Sequence, residues 1–340
     1  MKPLTGQTPR QRAALLWCAL LPVMMGQTAA LSGRGGVWGA AAAAPLALLL
    51  GMLWRRLARN RLPARWLRLL TGLWLIPAGG VLLRAGADRL VAAVYPESPE
   101  WLFVLGLLLP ALPAGLGRRR TLGRLAELTA PVLALLLGLV LALSLPEMDG
   151  AELWPPRRED WADALIAALR TLGAAALALT LFPPEAGEGP ASPLSLAGAA
   201  AAGLVLAVTV TGTFGAAAAR EMDAPFFVLI RNLRPGQLPE RMEALAAGTW
   251  VASDYLLLSA LLQTAGRALG PEPPDAGRER KPRAVLLAAA GMGVLAVWVP
   301  TSFALESIVR DLLPPGAGLT ALGMLLGLCL GKKRPRESGE

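Results

Sequence analysis

The chain has 340 residues, 54% of them hydrophobic, with a mean hydropathy of +0.51 and a formal net charge of +9. Its long uncharged runs exclude a soluble globular domain, and because they are continuous rather than alternating they also exclude a closed β-barrel. The basic balance would suit nucleic acid, but the Lys and Arg fall in short clusters between apolar runs with no interleaved aromatic platform, so they read as topology signals and no nucleic-acid partner is expected.

In chain order, charge-free windows cover 13–33, 35–54, 69–83, 101–117, 128–146, 189–219, 284–305 and 312–331, while 164–184 and 244–266 each hold a single charge. Most approach the ~20 residues that a helix needs to cross ~30 Å of hydrocarbon. The expectation is one all-α polytopic membrane domain over 1–340 with ten transmembrane helices. Its parts are a tail at 1–12, helices one to five over 13–146, an external loop at 147–163, helices six to ten over 164–331 and a tail at 332–340. The third window is short, and Arg68 and Arg84 at its ends are expected to snorkel.

The first window follows Lys2, Arg10 and Arg12 and ends near the small residues Thr28, Ala29 and Ala30, the outline of a secretory signal. Its length and the nine spans behind it favour a first transmembrane helix. Pro22, Gly26, Gln27 and Thr28 place a helix breaker and polar groups well inside it. Within lipid, broken backbone persists only where protein or a water-filled cavity satisfies the freed groups. A simple proline kink is the alternative.

Basic residues set the orientation. Lys2, Arg10 and Arg12, the arginines from Arg55 to Arg68, Arg118 to Arg124, the cluster from Arg267 to Arg283 and the basic residues after Gly331 all fall on one side of a ten-span chain. Roughly two thirds of the Lys and Arg lie on that side, so both termini are expected in the cytoplasm.

No histidine is present, which excludes His-based acid–base and nucleophilic chemistry and imidazole metal sites within the chain. Gly33-Arg34-Gly35-Gly36-Val37-Trp38 has Trp38 where a dinucleotide fingerprint requires its third glycine, and it reads as a tight external turn. Glu147, Asp149, Glu152, Glu159, Asp160 and Asp163 read as a solvated loop rather than a cation site. Cys18 and Cys329 lie in apolar runs at opposite ends of the chain and read as small core residues. No enzyme activity, cofactor or metal is expected.

Arg170 and Asp254 stand well inside otherwise uncharged windows, where a lone charge costs roughly 2.5 to 3.5 kcal/mol on insertion scales. They are expected to face the bundle interior and to pair across segments six and eight. The readings are a ligand or gate contact or a structural ion pair. The apolar piece Pro225 to Leu233 is too short to span, and within the external stretch 220–243 it is expected to lie at the interface as a partial lid, or simply as packed loop.

The order Met222-Asp223-Ala224-Pro225-Phe226-Phe227-Val228-Leu229-Ile230-Arg231, then Gly236-Gln237-Leu238-Pro239-Glu240-Arg241-Met242-Glu243-Ala244, then Trp250 resembles the region linking the seventh and eighth helices in the B-subunit permeases of GerA-type spore germination receptors. Gly123-Arg124-Leu125-Ala126-Glu127 and Glu152-Leu153-Trp154-Pro155 are similar to that family's pattern at matching places. Gln11 and the Val37-Trp38 pair add to the likeness, which is clearest from Gly117 to Gly266.

The resemblance places the chain in the amino acid/polyamine/organocation superfamily. With the helix count it implies a LeuT-like inverted five-plus-five repeat, with helices one and six interrupted at a midplane site. The implied ligand-binding set is Pro22, Gly26, Gln27, Thr28, Arg170, Thr171, Gly173 and Asp254. The implied function is binding of a small nutrient, an amino acid or nucleoside, beside A-type and C-type partner subunits in the inner spore membrane. A proton- or sodium-coupled amino acid transporter and a non-binding scaffold subunit are the alternatives.

Overall fold

The structure, a computed structural model, describes residues 7–60, 65–93, 97–182, 192–222, 225–232, 239–270, 282–299, 305 and 307–330. The described residues form an all-helical bundle. Its helices are α1 (Pro9–Met25), α2 (Arg34–Asn60), α3 (Arg65–Ala93), α4 (Glu100–Leu116), α5 (Arg119–Ser144), α6 (Trp161–Leu181), α7 (Pro193–Glu221), α8 (Pro225–Asn232), α9 (Pro239–Leu269), α10 (Pro282–Trp298) and α11 (Leu313–Leu330). A π-helical turn at Ile308–Leu312 leads into α11. The tails at 1–6 and 331–340, the loop around Glu185 and Glu188 and the Pro183-Pro184 stop lie outside the described residues.

Every apolar window holds one long helix, and the polar stretch between α7 and α9 holds the short α8. Five helices, α2, α3, α5, α6 and α7, are long and apolar enough to cross a membrane; α4, α10 and α11 are shorter apolar helices. Large apolar side chains such as Leu128, Leu135, Leu194, Leu287, Val294 and Leu319 stand exposed, which suits a lipid surround. Exposed Trp38, Trp101, Trp161 and Trp298 sit at the starts of α2, α4 and α6 and the end of α10.

The helices fall into two packed groups. In one, α2 lies against both α6 and α7, and α6 carries α11. In the other, α3 and α4 lie against α9 and α10. Between them runs α1, packed on α5, α7 and α9, with every residue from Cys18 to Met25 buried. A helix apolar all round belongs in such a central position. Glycines allow the closest approaches: a Cβ at Gly35 would meet Asp160 and Asp163, and one at Gly39 would meet Ala164 and Ala167, so α2 and α6 touch nearly backbone to backbone.

Four expectations need correction. Arg84 does not snorkel: α3 continues past it to Ala93, and its side chain, 4% exposed, bonds Asp88 (2.8 Å) and Glu100 across to α4. The glycine-rich stretch is a turn only at Gly33 (φ 104°); Gly35, Gly36 and Gly39 already lie in α2. Cys18 is buried as expected, whereas Cys329 is exposed on α11. Lastly, α6 runs unbroken from Trp161 to Leu181 through Arg170, Thr171 and Gly173. An interruption in the second half of the chain falls instead in α7 at Gly215 (φ 73°, ψ 165°), a conformation that only glycine adopts readily. There the Gly212 carbonyl accepts a hydrogen bond from the Asp149 backbone N–H at 2.8 Å.

Candidate functional site

The site is built around the end of α1. Pro22 has no N–H to give the Cys18 carbonyl one turn below. The Ser253 hydroxyl of α9 donates to that carbonyl instead, so a helix flaw becomes an α1–α9 contact. The helix then stops at Gly26, inside the first apolar window, and residues 26–31 continue as turns.

Side chains of the turn itself and of neighbouring helices satisfy much of the freed backbone. The Thr28 hydroxyl donates to Met25 O (2.8 Å) and the Ser32 hydroxyl to Thr28 O (2.7 Å). Gly33 N–H donates to the Thr211 hydroxyl of α7 at 3.0 Å. Arg170 of α6 reaches Ala30 O at 3.5 Å, and Arg220 of α7 reaches Ser32 O at 3.4 Å while pairing with Asp163 at 2.6 Å. One group is left over. Gln27 is 1% exposed, and both its amide oxygen and its amide nitrogen lack a hydrogen-bond partner among the described residues.

The charged centre lies beside this break. Asp254 of α9 accepts a hydrogen bond from Arg89 Nη2 of α3 at 2.7 Å, with side chains 5% and 13% exposed. A Cβ at Gly26 would stand 3.8 Å from Arg89 Nη1, and one at Gly86 would stand 3.4 Å from Asp254 Oδ2. The Arg89 guanidinium lies 5.3 Å from the centroid of the Trp250 ring, a cation–π contact.

Over Trp250 lies α8. Phe227 stacks on it at 3.9 Å with planes 8° apart, and Phe226 sits tilted at 6.0 Å. Phe226, Leu229 and Ile230 are buried, so α8 is packed down over Trp250 by aromatic and apolar contacts. Two recesses flank Trp250 beneath it. Leu21, Met25, Leu133, Phe226, Ile230 and Ser253 are among the residues lining one; Gly86, Arg89, Phe227, Val251 and Asp254 are among those lining the other. Each has room for about one water molecule.

The opposite end of the bundle is also tied shut. Gln7 donates to Arg119 O (2.7 Å) and Gln11 to Glu127 (3.3 Å), joining α1 to α5. The Thr264 hydroxyl of α9 donates to Leu181 O at the end of α6 (2.7 Å) and accepts from Arg119 (3.3 Å).

The structure brings Pro22, Gly26 and Asp254 of the anticipated set to one place and puts the unpartnered Gln27 next in chain. Thr28 is engaged within the turn. Thr171 bonds Ala167 O of its own helix (2.9 Å), and Gly173 lets Pro314 of α11 pack closely, so both serve helix packing. The anticipated Arg170–Asp254 pair does not form. Arg170 bonds Asp311 of the π-helical turn at 3.0 Å, and Asp254 takes Arg89. Sequence reasoning missed Arg89 because the third charge-free window ends at Arg84, which put Arg89 in an external piece. Helix-forming residues from Leu82 to Ala93 and the Arg84–Asp88 spacing of four were the available signals that the helix continues.

No protein-family model matches the chain, and no curated protein does. Its fold is similar to that of solved membrane transporters. One is a Na+-coupled sialic acid symporter in a substrate-bound outward-open state, with TM-score 0.61 and 14% identity over 94% of this chain and 79% of that one. Another is Mhp1, a nucleobase-cation-symport-1 family transporter in a closed conformation with bromovinylhydantoin bound, with TM-score 0.54 and 14% identity over 93% of this chain and 77% of that one. At such identity the likeness is one of fold: the chain is a multi-pass membrane protein with a transporter-type helical fold, and these neighbours are transporters rather than enzymes.

Proposed function

We propose that this chain is the permease-fold subunit of a spore germinant receptor, binding a small nutrient at the break of α1 and signalling through a change of conformation. The observation that carries the reading is the lid. The stretch resembling GerA-type B subunits contains α8 and Trp250, and in space it closes over Arg89, Asp254 and Gly26. A recess with room for one water cannot admit a nutrient until α8 shifts, so binding is coupled to movement and can bias a two-state equilibrium.

In this reading ten helices span the inner spore membrane as a five-plus-five inverted repeat, both termini face the cytoplasm, and A-type and C-type subunits assemble with the chain. Co-purification with those partners, together with nutrient binding but no uptake in proteoliposomes, is the expected result. Uptake by the chain alone would make it a coupled transporter instead. Assembly without any nutrient binding would make it a scaffold. A cysteine introduced at Ser98 should react with an impermeant thiol reagent and one at Ser338 should not; the reverse pattern would overturn the orientation.

A further inference from the structure

Two residues lining the recess between α3 and α9 each carry a buried N–H with no acceptor among the described residues: Arg89 through Nε and Trp250 through Nε1. Trp250 is 5% exposed. A buried donor left unpaired is costly, and both of these belong to side chains that line the same recess, where one ligand could supply the acceptor. Arg89 already gives Nη2 to Asp254, so its Nε offers one further charge-assisted donor, suited to a carboxylate oxygen. A second anion in a buried site that already holds Asp254 needs its own cation, and the Asp254 carboxylate is the group to receive it.

The recess has no space for the rest of such a ligand. What occupies the face of Trp250 is Phe227, parallel at 3.9 Å, so the ligand body must take the place of that ring. A flat side chain would restore the stacking that Phe227 gives up.

We infer that the α3–α9 recess is a zwitterion site for an amino acid with a planar side chain, its carboxylate on Arg89 Nε and Trp250 Nε1, its ammonium on Asp254, and its ring displacing the resident Phe227. This rests on the nutrient-binding reading and names the ligand class and its contacts. Phe227 is then a built-in competitor, and displacing it loosens α8.

The test is calorimetric titration of the purified full-length chain in lipid nanodiscs with L-phenylalanine, L-phenylalaninamide and phenethylamine. L-phenylalanine should bind, and the two probes lacking the carboxylate should bind at least about tenfold more weakly. Trp250→Phe keeps a stacking ring but removes the indole N–H, and it should weaken L-phenylalanine about tenfold more than it weakens phenethylamine. Phe227→Ala should tighten L-phenylalanine, because the competitor is gone. Weaker or unchanged binding in Phe227→Ala overturns the displacement. Equal affinity of the three probes for the wild-type chain overturns the carboxylate site, and decides the matter even if a variant fails to fold. Absence of binding by all three probes also overturns the site, while assembly with A-type and C-type partners would leave the receptor reading standing. L-phenylalanine binding by a chain that does not assemble would do the reverse.

Discussion

Of the two helices expected to be interrupted, α1 and α6, only α1 breaks. In α1, Pro22 removes a hydrogen bond, Gly26 follows within four residues, and Ser253, Thr211, Arg170 and Arg220 from α9, α7 and α6 stand ready for the freed backbone. In α6, Gly173 sits in an Ala/Leu-rich run without an internal proline, and its missing side chain is used for contact with Pro314. A single glycine weakens a helix by only about 1 kcal/mol, far less than opening an unsatisfied turn in a membrane interior would cost. Breaking a buried helix thus requires both a lost hydrogen bond and partners that replace it. The polar groups of the site accordingly come from α1, α3 and α9, and α6 contributes a brace from outside.

The comparison can be broken most forcefully at the charges. Asp254→Asn leaves Arg89 buried beside the α1 break without its counter-ion, and should lower stability by about 3 to 5 kcal/mol in detergent thermal unfolding. The double variant Arg89→Gln/Asp254→Asn should lose less than the sum of the single losses; additive losses would show that the two residues do not act as a pair.

On α6, Gly173→Ala forces a Cβ into Pro314, and overpacking of this kind should cost about 1 to 3 kcal/mol with nutrient response unchanged in the folded fraction. Gly26→Leu should do the opposite: its side chain would extend toward Arg89, abolishing response in a well-expressed, folded protein. Loss of response in Gly173→Ala together with normal response in Gly26→Leu would transfer the site to α6.

The proline logic has its own check. Ser253→Ala strands the Cys18 carbonyl and should cost about 1 to 3 kcal/mol, and adding Pro22→Ala should recover part of that by restoring the helical N–H. No recovery in the double variant would mean that Ser253 does not replace the missing bond. The smallest effect is expected at Asp311→Asn. The Arg170–Asp311 side chains are 19% and 48% exposed, so solvent screening should hold the change below about 1 kcal/mol.

Much of this was written in the chain. Uncharged runs of membrane-spanning length specify helices wherever water is absent, because only internal hydrogen bonding satisfies the backbone there, and each window does hold one. Pro22 and Gly26 locate the α1 break because a missing N–H is a local property of the sequence. The short α8 was legible as an apolar piece too short to span. What only the tertiary structure decided is which partners meet. Arg170 and Asp254 carry matching charges at compatible depths, yet α6 turns its arginine to Asp311 and Ala30 while α3 carries Arg89 to Asp254. Opposite charges attract at any register, and the choice among partners belongs to helix packing, where Gly39, Gly86 and Gly173 set how closely the backbones approach. Burial of Trp250 under Phe227 is likewise a consequence of α8 folding back over α9, a contact between residues 23 apart that no local pattern encodes.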